Sequence, residues 1–171
     1  MIDGEGGLMN TKKIILVTVL ALCVIIAVYA QKKPVRPKVE KKIVVVKGNK
    51  AWTNTGLRIG GNDRVTITAT GQVCFSDQLQ GACVDPDGWP GNYEEDWPDD
   101  YGYCFDPLPN VNHAALVANI GNDNFFVGKT TAFTDKQGFL YLGINDCSFT
   151  GECSNSGEFS AVIKIERGPK K

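Results

Sequence analysis

Apolar and polar residues alternate in short runs along most of the chain. The clearest runs are 65–70, where apolar residues alternate with threonine, and 159–165, where apolar positions recur at every second residue. A period of two residues predicts half-buried β-strands. Further short strands are predicted at 43–46, 71–75, 115–120, 125–127 and 139–144. No segment has a 3.6-residue period, so the pattern predicts an all-β fold, an antiparallel sandwich of the jelly-roll type.

The first thirty residues have a different pattern. Lys12 and Lys13 precede an apolar run at 14–28, and the small residues Val28 and Ala30 lie at the end of this segment. A basic region, a short apolar region and small residues before a cleavage point predict a signal peptide at 1–30. We therefore expect a secreted, periplasmic or cell-surface protein. The alternative is a membrane anchor at 14–29, although a span usually needs about 20 apolar residues.

Composition sets the other predicted boundaries. Residues 31–42, "QKKPVRPKVEKK", are rich in Pro and Lys, which predicts an extended basic linker. A single domain is expected at 43–167, followed by a basic tail at 168–171. Between Ala51 and Glu166, five Lys and Arg stand against sixteen Asp and Glu, a net charge of −11. Such an acidic domain repels phosphates, so we expect no nucleic-acid partner, and it attracts cations.

The cysteines suit an oxidising compartment. One of the six, Cys23, lies in the predicted signal peptide; the others are Cys74, Cys83, Cys104, Cys147 and Cys153. Outside the cell, most are expected in disulfides. Cys147 and Cys153 are predicted to bond to each other, since a small ring is feasible with Gly151 between them. The pairing of the other three stays open; a Cys83–Cys104 bridge could tether the acidic stretch between them.

Residues 81–109 are long, acidic and aromatic. Paired carboxylates there could hydrolyse glycosides, so a small glycosidase is one hypothesis. However, His113 is the only histidine and has no G-x-S-x-G motif near it, so no hydrolytic triad is expected. The lone histidine and the absence of Cys-x-x-Cys also argue against zinc. We predict that the protein is not an enzyme.

The stretch "NDCSFTGECSNSG", residues 145–157, places many oxygen donors between two cysteines. Calcium takes six to eight oxygen ligands from carboxylates, amides and main-chain carbonyls. Taken alone, the stretch also fits a polar hairpin loop closed by a disulfide, so calcium is only one interpretation of it.

Three segments occur in an order that resembles the PA-I type calcium-dependent galactophilic lectins of bacteria. They are "AWTNTGLRIGGNDRVTITATGQV", "HAALVANIGN" and "GFLYLGINDCSFTGECSNSGEFSAVIKI". The resemblance covers Ala51 to Glu166 and implies a galactose-binding-like β-sandwich that holds Ca²⁺.

The resemblance also implies a ligand set. Side chains of Asp146 and Asn155 match two family ligands, and main-chain carbonyls match at Thr150 and Phe75. Ser154 stands where the family has an Asn, and the loop is one residue longer. Sugar hydroxyls complete the coordination, so Asp146, Thr150 and Ser154 also become sugar contacts. We add a stacking ring from Trp89 or Trp97.

The family's His-Pro-x-x-Gln segment is absent from residues 85–106, so a preference for galactose is not implied. The sequence thus predicts an exported, calcium-dependent carbohydrate-binding protein whose partner is a galactoside or another glycan. Self-association into a homo-oligomer is left open. The main alternative is a disulfide-stapled structural or adhesion domain in which calcium only stabilises loops.

Overall fold

Two antiparallel sheets form the domain in the computed structural model, which describes residues 37–75, 82–90, 106–146 and 155–169. These residues belong to one compact unit, Pro37–Lys171. Its described strands are β1 (Val39–Lys47), β2 (Trp52–Ile59), β3 (Arg64–Cys74), β4 (Cys83–Val84), β5 (Leu116–Ile120), β6 (Asp123–Phe126), β7 (Thr130–Phe133), β8 (Gly138–Ile144) and β9 (Ser156–Glu166). Within the described ranges, no helix has the length and apolar character needed to cross a membrane.

The strand order separates the domain into two layers. In the first sheet the order is β1-β9-β3-β4. Strand β7 lies on the same side of β3 as β4, but it pairs with the beginning of β3, whereas β4 pairs with its end. In the second sheet the order is β2-β8-β5-β6. Every one of these pairings is antiparallel. The predicted all-β antiparallel sandwich is therefore confirmed.

The core lies between the sheets because alternate residues of each strand point inward. Phe159, Ile163 and Ile165 of β9 are fully buried, as are Leu140 and Leu142 of β8. Burying a side chain of this size stabilises a fold by roughly 1.5–3 kcal/mol relative to its exposed state. The alternation that predicted these strands is thus the alternation between core and surface.

Strand β1 begins earlier than its apolar run predicted. The predicted strand was 43–46 and the predicted linker extended to residue 42, but Val39 already pairs with Glu166. The reason is that backbone pairing with the long strand β9 does not require apolar side chains. Lys41 and Lys42 project from this edge strand into solvent, as charged residues on sheet edges commonly do.

Candidate functional site

Buried polar side chains gather at the end of the sandwich where β8 finishes and β9 begins. Asp146 and Asn155 are 2% and 5% exposed. The Asn155 Nδ2 donates a hydrogen bond to Asp146 Oδ2 at 2.7 Å. A polar group buried at this depth is costly unless it is hydrogen-bonded. The structure therefore brings together two predicted calcium ligands that flank residues 147–154 in the sequence.

Phe75 lies at the same end, directly after β3. The register of β3 and β9 sets Cys74 opposite Ser156, one residue from Asn155. The Phe75 ring also packs edge-on against the His113 ring, with centroids 4.9 Å apart. Phe75 was predicted to offer its main-chain carbonyl to the ion, and its position beside the site is compatible with that role.

A disulfide between Cys74 and Cys83 anchors this segment. The two residues face each other in the β3–β4 ladder, with Cα atoms 3.9 Å apart, so their side chains meet directly. The suggested Cys83–Cys104 bridge is wrong because Cys83 is already bonded. The Phe75 amide donates to the Ala82 carbonyl at 3.0 Å just beyond the bridge, which fixes where the chain leaves β3.

His113 joins the site, although the sequence analysis assigned it no role. Its side chain is 4% exposed, its Nδ1 lies 3.0 Å from Asp106 Oδ1, and its Nε2 lies 3.8 Å from Asp146 Oδ2. One ligand atom from each of these three residues lies within 4.8 Å of the others. Burial raises the pKa of Asp106, while the hydrogen bond with His113 opposes that rise. The imidazole thus links two acidic side chains in one buried group.

Asn145 positions this group through its side chain. It is fully buried, and its Oδ1 accepts from the Leu108 amide at 2.9 Å. Its Nδ2 donates to the carbonyls of Leu108, Val111 and Asn112 at 3.0–3.2 Å. The side chain therefore ties the 108–112 turn to the end of β8, between Asp106 and His113 in sequence. The sequence offered no local signal for this role.

Trp89 was predicted as a candidate for stacking on a sugar. Its ring is half-buried and packs against the core, with its centroid 6.0 Å from that of Phe75. Its amide donates to the His113 carbonyl at 2.8 Å, and its Nε1 is buried with no hydrogen-bond partner among the described residues. Gly88 permits this approach, since its φ is +79° and a Cβ would lie 2.7 Å from the His113 carbonyl oxygen.

The remaining predicted site residues lie outside the described residues. These are Thr150, Ser154 and Trp97, together with the predicted Cys147–Cys153 disulfide. Their contributions stay predictions. What the structure does bring together is Asp146, Asn155, Phe75 and Trp89 of the predicted set.

Comparison with known proteins supports the architecture. No protein-family model and no curated protein sequence matches the chain significantly. Among solved structures, the N-terminal domain of EclA, described as a PllA-like lectin, matches with a TM-score of 0.51 and 22% sequence identity. The match covers 72% of this chain and 95% of that domain. The fold is therefore lectin-like.

Proposed function

We propose that this protein binds carbohydrate through a Ca²⁺ ion held at Asp146 and Asn155. The observation that carries the proposal is the 2.7 Å contact between these two buried side chains. In sequence they flank residues 147–154, a stretch rich in oxygen donors. The solved domain with a similar fold is described as a lectin, which supports carbohydrate as the ligand class.

The donor set suits a hard cation. Asp146 offers carboxylate oxygens and Asn155 an amide oxygen, both of which calcium prefers. The Asn155 amide now directs its NH₂ group at Asp146. Rotating the amide by half a turn exchanges nitrogen and oxygen, and two oxygens at 2.7 Å repel each other unless a cation lies beside both. We therefore expect calcium binding to reverse this amide.

Asp106 and His113 would act behind the ligands. Polar partners behind a ligating side chain fix its orientation and tune the affinity of the ion. Asp106 Oδ1 lies 3.0 Å from His113 Nδ1, and the Nε2 of the same ring faces Asp146 Oδ2 at 3.8 Å, beyond hydrogen-bond distance. We call this chain of contacts the buried relay. A merely exposed loop would lack such support, so the buried relay favours a preorganised site.

Calcium binding is expected to be weak and sugar binding to depend on it. With one carboxylate among the described candidate ligands, a Kd of about 10⁻⁴ to 10⁻³ M is typical of extracellular calcium modules. Sugar hydroxyls would occupy the open coordination positions. Galactosides are tried first because the resembled family binds them, and a wider sugar panel is needed because residues 85–106 lack the His-Pro-x-x-Gln segment of that family.

Calorimetric titration of calcium, then of galactosides and a wider sugar panel, tests the proposal. Asp146→Asn should abolish both binding events and leave the domain folded. Asp123→Asn is the matched control, since it neutralises an exposed carboxylate on β6 and should change neither. Ser154→Asn should preserve or strengthen binding, because it restores the amide of the resembled family.

The outcomes discriminate between the hypotheses. Unchanged calcium and sugar binding in Asp146→Asn would falsify the site. Calcium that raises the melting temperature without supporting binding of any sugar would favour the structural or adhesion domain. Turnover of a chromogenic glycoside would favour the glycosidase.

A further inference from the structure

The outer face of the β2-β8-β5-β6 sheet carries aromatic and amide side chains in register. On β8, Leu140, Leu142 and Ile144 are buried in the core. The intervening residues Phe139 and Tyr141 must therefore point away from the core, because successive side chains on a strand alternate between faces. The same alternation turns Trp52 and Asn54 of β2, Asn119 of β5, and Asn124 and Phe126 of β6 outward.

Strand pairing arranges these outward positions in two adjacent rows. One row runs across the sheet as Trp52, Gly143, Val117 and Phe126. The next row runs as Asn54, Tyr141, Asn119 and Asn124. We call the six polar and aromatic members the aromatic–amide face: Trp52, Asn54, Asn119, Asn124, Phe126 and Tyr141.

Aromatic rings lie along this face in an ordered way. A Cβ at Gly143 would come 2.8 Å from Trp52 Cε3, so the glycine lets the indole lie against the sheet. Trp52 is only partly buried, so a ligand can reach it. Phe126, in the same row, is 42% exposed. Trp52 and Tyr141 are diagonal neighbours on paired strands, so their Cα atoms are expected to lie about 7–8 Å apart.

The amides of the second row are held in place. The Asn119 Nδ2 donates to Asn124 Oδ1 at 2.7 Å, and Asn54 Oδ1 accepts from the Gly56 amide at 2.8 Å. Each amide group has two donor hydrogens and an acceptor oxygen, so these contacts use only part of its capacity. The face therefore combines apolar rings with oriented hydrogen-bonding groups.

Charge decides what kind of ligand fits. Among the outward positions of β2, β5, β6 and β8, only Arg58 is charged, and its guanidinium lies 5.9 Å from the Phe139 ring centroid. An anionic ligand such as a nucleic acid or an acidic lipid needs several positive charges. An apolar protein surface would leave the amides without partners, which is costly. A neutral sugar chain meets both demands, because its C–H faces pack on rings and its hydroxyls bond to amides.

We propose that the aromatic–amide face is a second carbohydrate-binding site, one that takes a neutral oligosaccharide chain and needs no cation. It shares only the ligand class with the function proposed above, since its residues do not include Asp146, Asn155 or His113. The two sites therefore succeed or fail independently, and a chelator separates them.

The experiment is calorimetric titration in EDTA with three neutral probes, β-1,4-linked gluco-, manno- and galacto-hexaose. We expect at least one to bind, and Asp146→Asn to bind it equally well. Trp52→Ala should weaken that binding about tenfold, as loss of a stacking contact does. Tyr141→Ala, which leaves the packing of Trp52 over Gly143 in place, should weaken it at least threefold.

Ile43→Ala is the control, because Ile43 is 64% exposed on the first sheet, and it should leave the EDTA-resistant affinity unchanged. Melting temperatures confirm that each variant is folded, and Tyr141→Ala carries the test if Trp52→Ala unfolds. Three results would overturn the proposal. They are no hexaose binding in EDTA, equal affinity of Tyr141→Ala and wild type, or a dimer in sedimentation equilibrium that Tyr141→Ala dissociates. If calcium-dependent sugar binding is absent but the EDTA-resistant binding is present, only the Asp146 proposal fails.

Discussion

Asp63 and Asp146 are buried aspartates near opposite ends of β9. Asp63 is 6% exposed and Asp146 is 2% exposed. Asp63 accepts hydrogen bonds from Arg167 Nη1 at 2.6 Å and from the amides of Gly60 and Gly168 at 2.8 and 3.1 Å. Asp146 instead contacts the neutral Asn155 amide and faces the His113 ring. The same residue type therefore has two different surroundings.

Asp63 belongs to a hydrogen-bonded network that fixes strands to one another, and we call this network the lock. Arg167 also donates to Glu40 Oε2 at 2.6 Å and to the Arg58 carbonyl at 2.8 Å. One guanidinium thus ties together β1, β2, the turn before β3 and the end of β9. Such a network positions strands and leaves little room for a ligand, because the carboxylate is already matched by a cation of the chain itself.

The surroundings of Asp146 are compatible with the calcium-binding role proposed above. An amide can reverse and an imidazole can support a ligating carboxylate, so a metal ion can enter without breaking a tie between strands. The difference teaches that burial of a carboxylate does not define its role. The partners do, and mutations at the two ends should separate stability from binding.

The largest effect should come from the scaffold that surrounds Asp146. Asn145→Ala removes four side-chain hydrogen bonds to the 108–112 turn and should lower the free energy of unfolding by about 3 kcal/mol. Urea denaturation measures this, with the exposed Asn122→Ala as control. Calcium affinity should fall as well, since His113 loses its support. A loss below about 1 kcal/mol would mean that the turn is held by other contacts.

The next effect concerns the disulfide beside Phe75. Replacing both Cys74 and Cys83 with Ala opens a bridge between residues nine apart, which should cost about 2.5 kcal/mol in the chain-entropy picture. Denaturation of the double variant under oxidising conditions measures the loss. Full stability without the bridge would show that the β3–β4 ladder alone fixes the segment.

The sequence predicted those strands that have one buried and one exposed face, because apolar and polar residues alternate along them. The runs at 65–70, 139–144 and 159–165 became β3, β8 and β9, each with a buried face. Strand β2 was not predicted, because Gly56 interrupts it at a register shift and the inward-facing Thr55 is polar. Its hydroxyl donates to the Leu140 carbonyl at 2.7 Å, a contact that no local pattern reveals.

The candidate site was predictable in part for a similar reason. Asp146 and Asn155 stand in one loop, so the resemblance of that loop named both. Asp106, His113 and Asn145 act through contacts that depend on tertiary structure, such as the bonds from Asn145 to residues 33–37 positions away. Because no recognisable motif lies near His113 in the sequence, the sequence analysis did not assign this residue to the site.

A smaller effect should distinguish the two buried aspartates directly. Asp63→Asn keeps the shape but removes the charge that faces Arg167, and should lower the free energy of unfolding by about 1.5 kcal/mol. Asp146→Asn, measured in EDTA, should change it by less than about 0.5 kcal/mol. Thermal and urea unfolding of both variants provide the comparison. Equal losses in the two variants would contradict the division into a lock and a binding group.

The smallest effect is the acid sensitivity of the lock. Burial by itself raises the pKa of Asp63, but hydrogen bonds from Gly60, Arg167 and Gly168 outweigh it and hold this pKa below the usual value. The unfolded chain therefore binds the proton more tightly, so stability rises with pH in this range. The contribution of Asp63 is complete above the ordinary aspartate pKa of about 3.9 and is lost as the pH falls from there through the folded pKa.

Asp63→Asn should remove this component of the acid dependence. The free energy of unfolding of wild type and variant, measured by urea denaturation between pH 6 and pH 2.5, should converge as the pH falls. The convergence is expected because protonation of Asp63 removes the charge that faces Arg167, as the substitution itself does. A constant gap across the range would mean that the Arg167 contact stabilises the domain through packing, and that the charge of Asp63 contributes nothing.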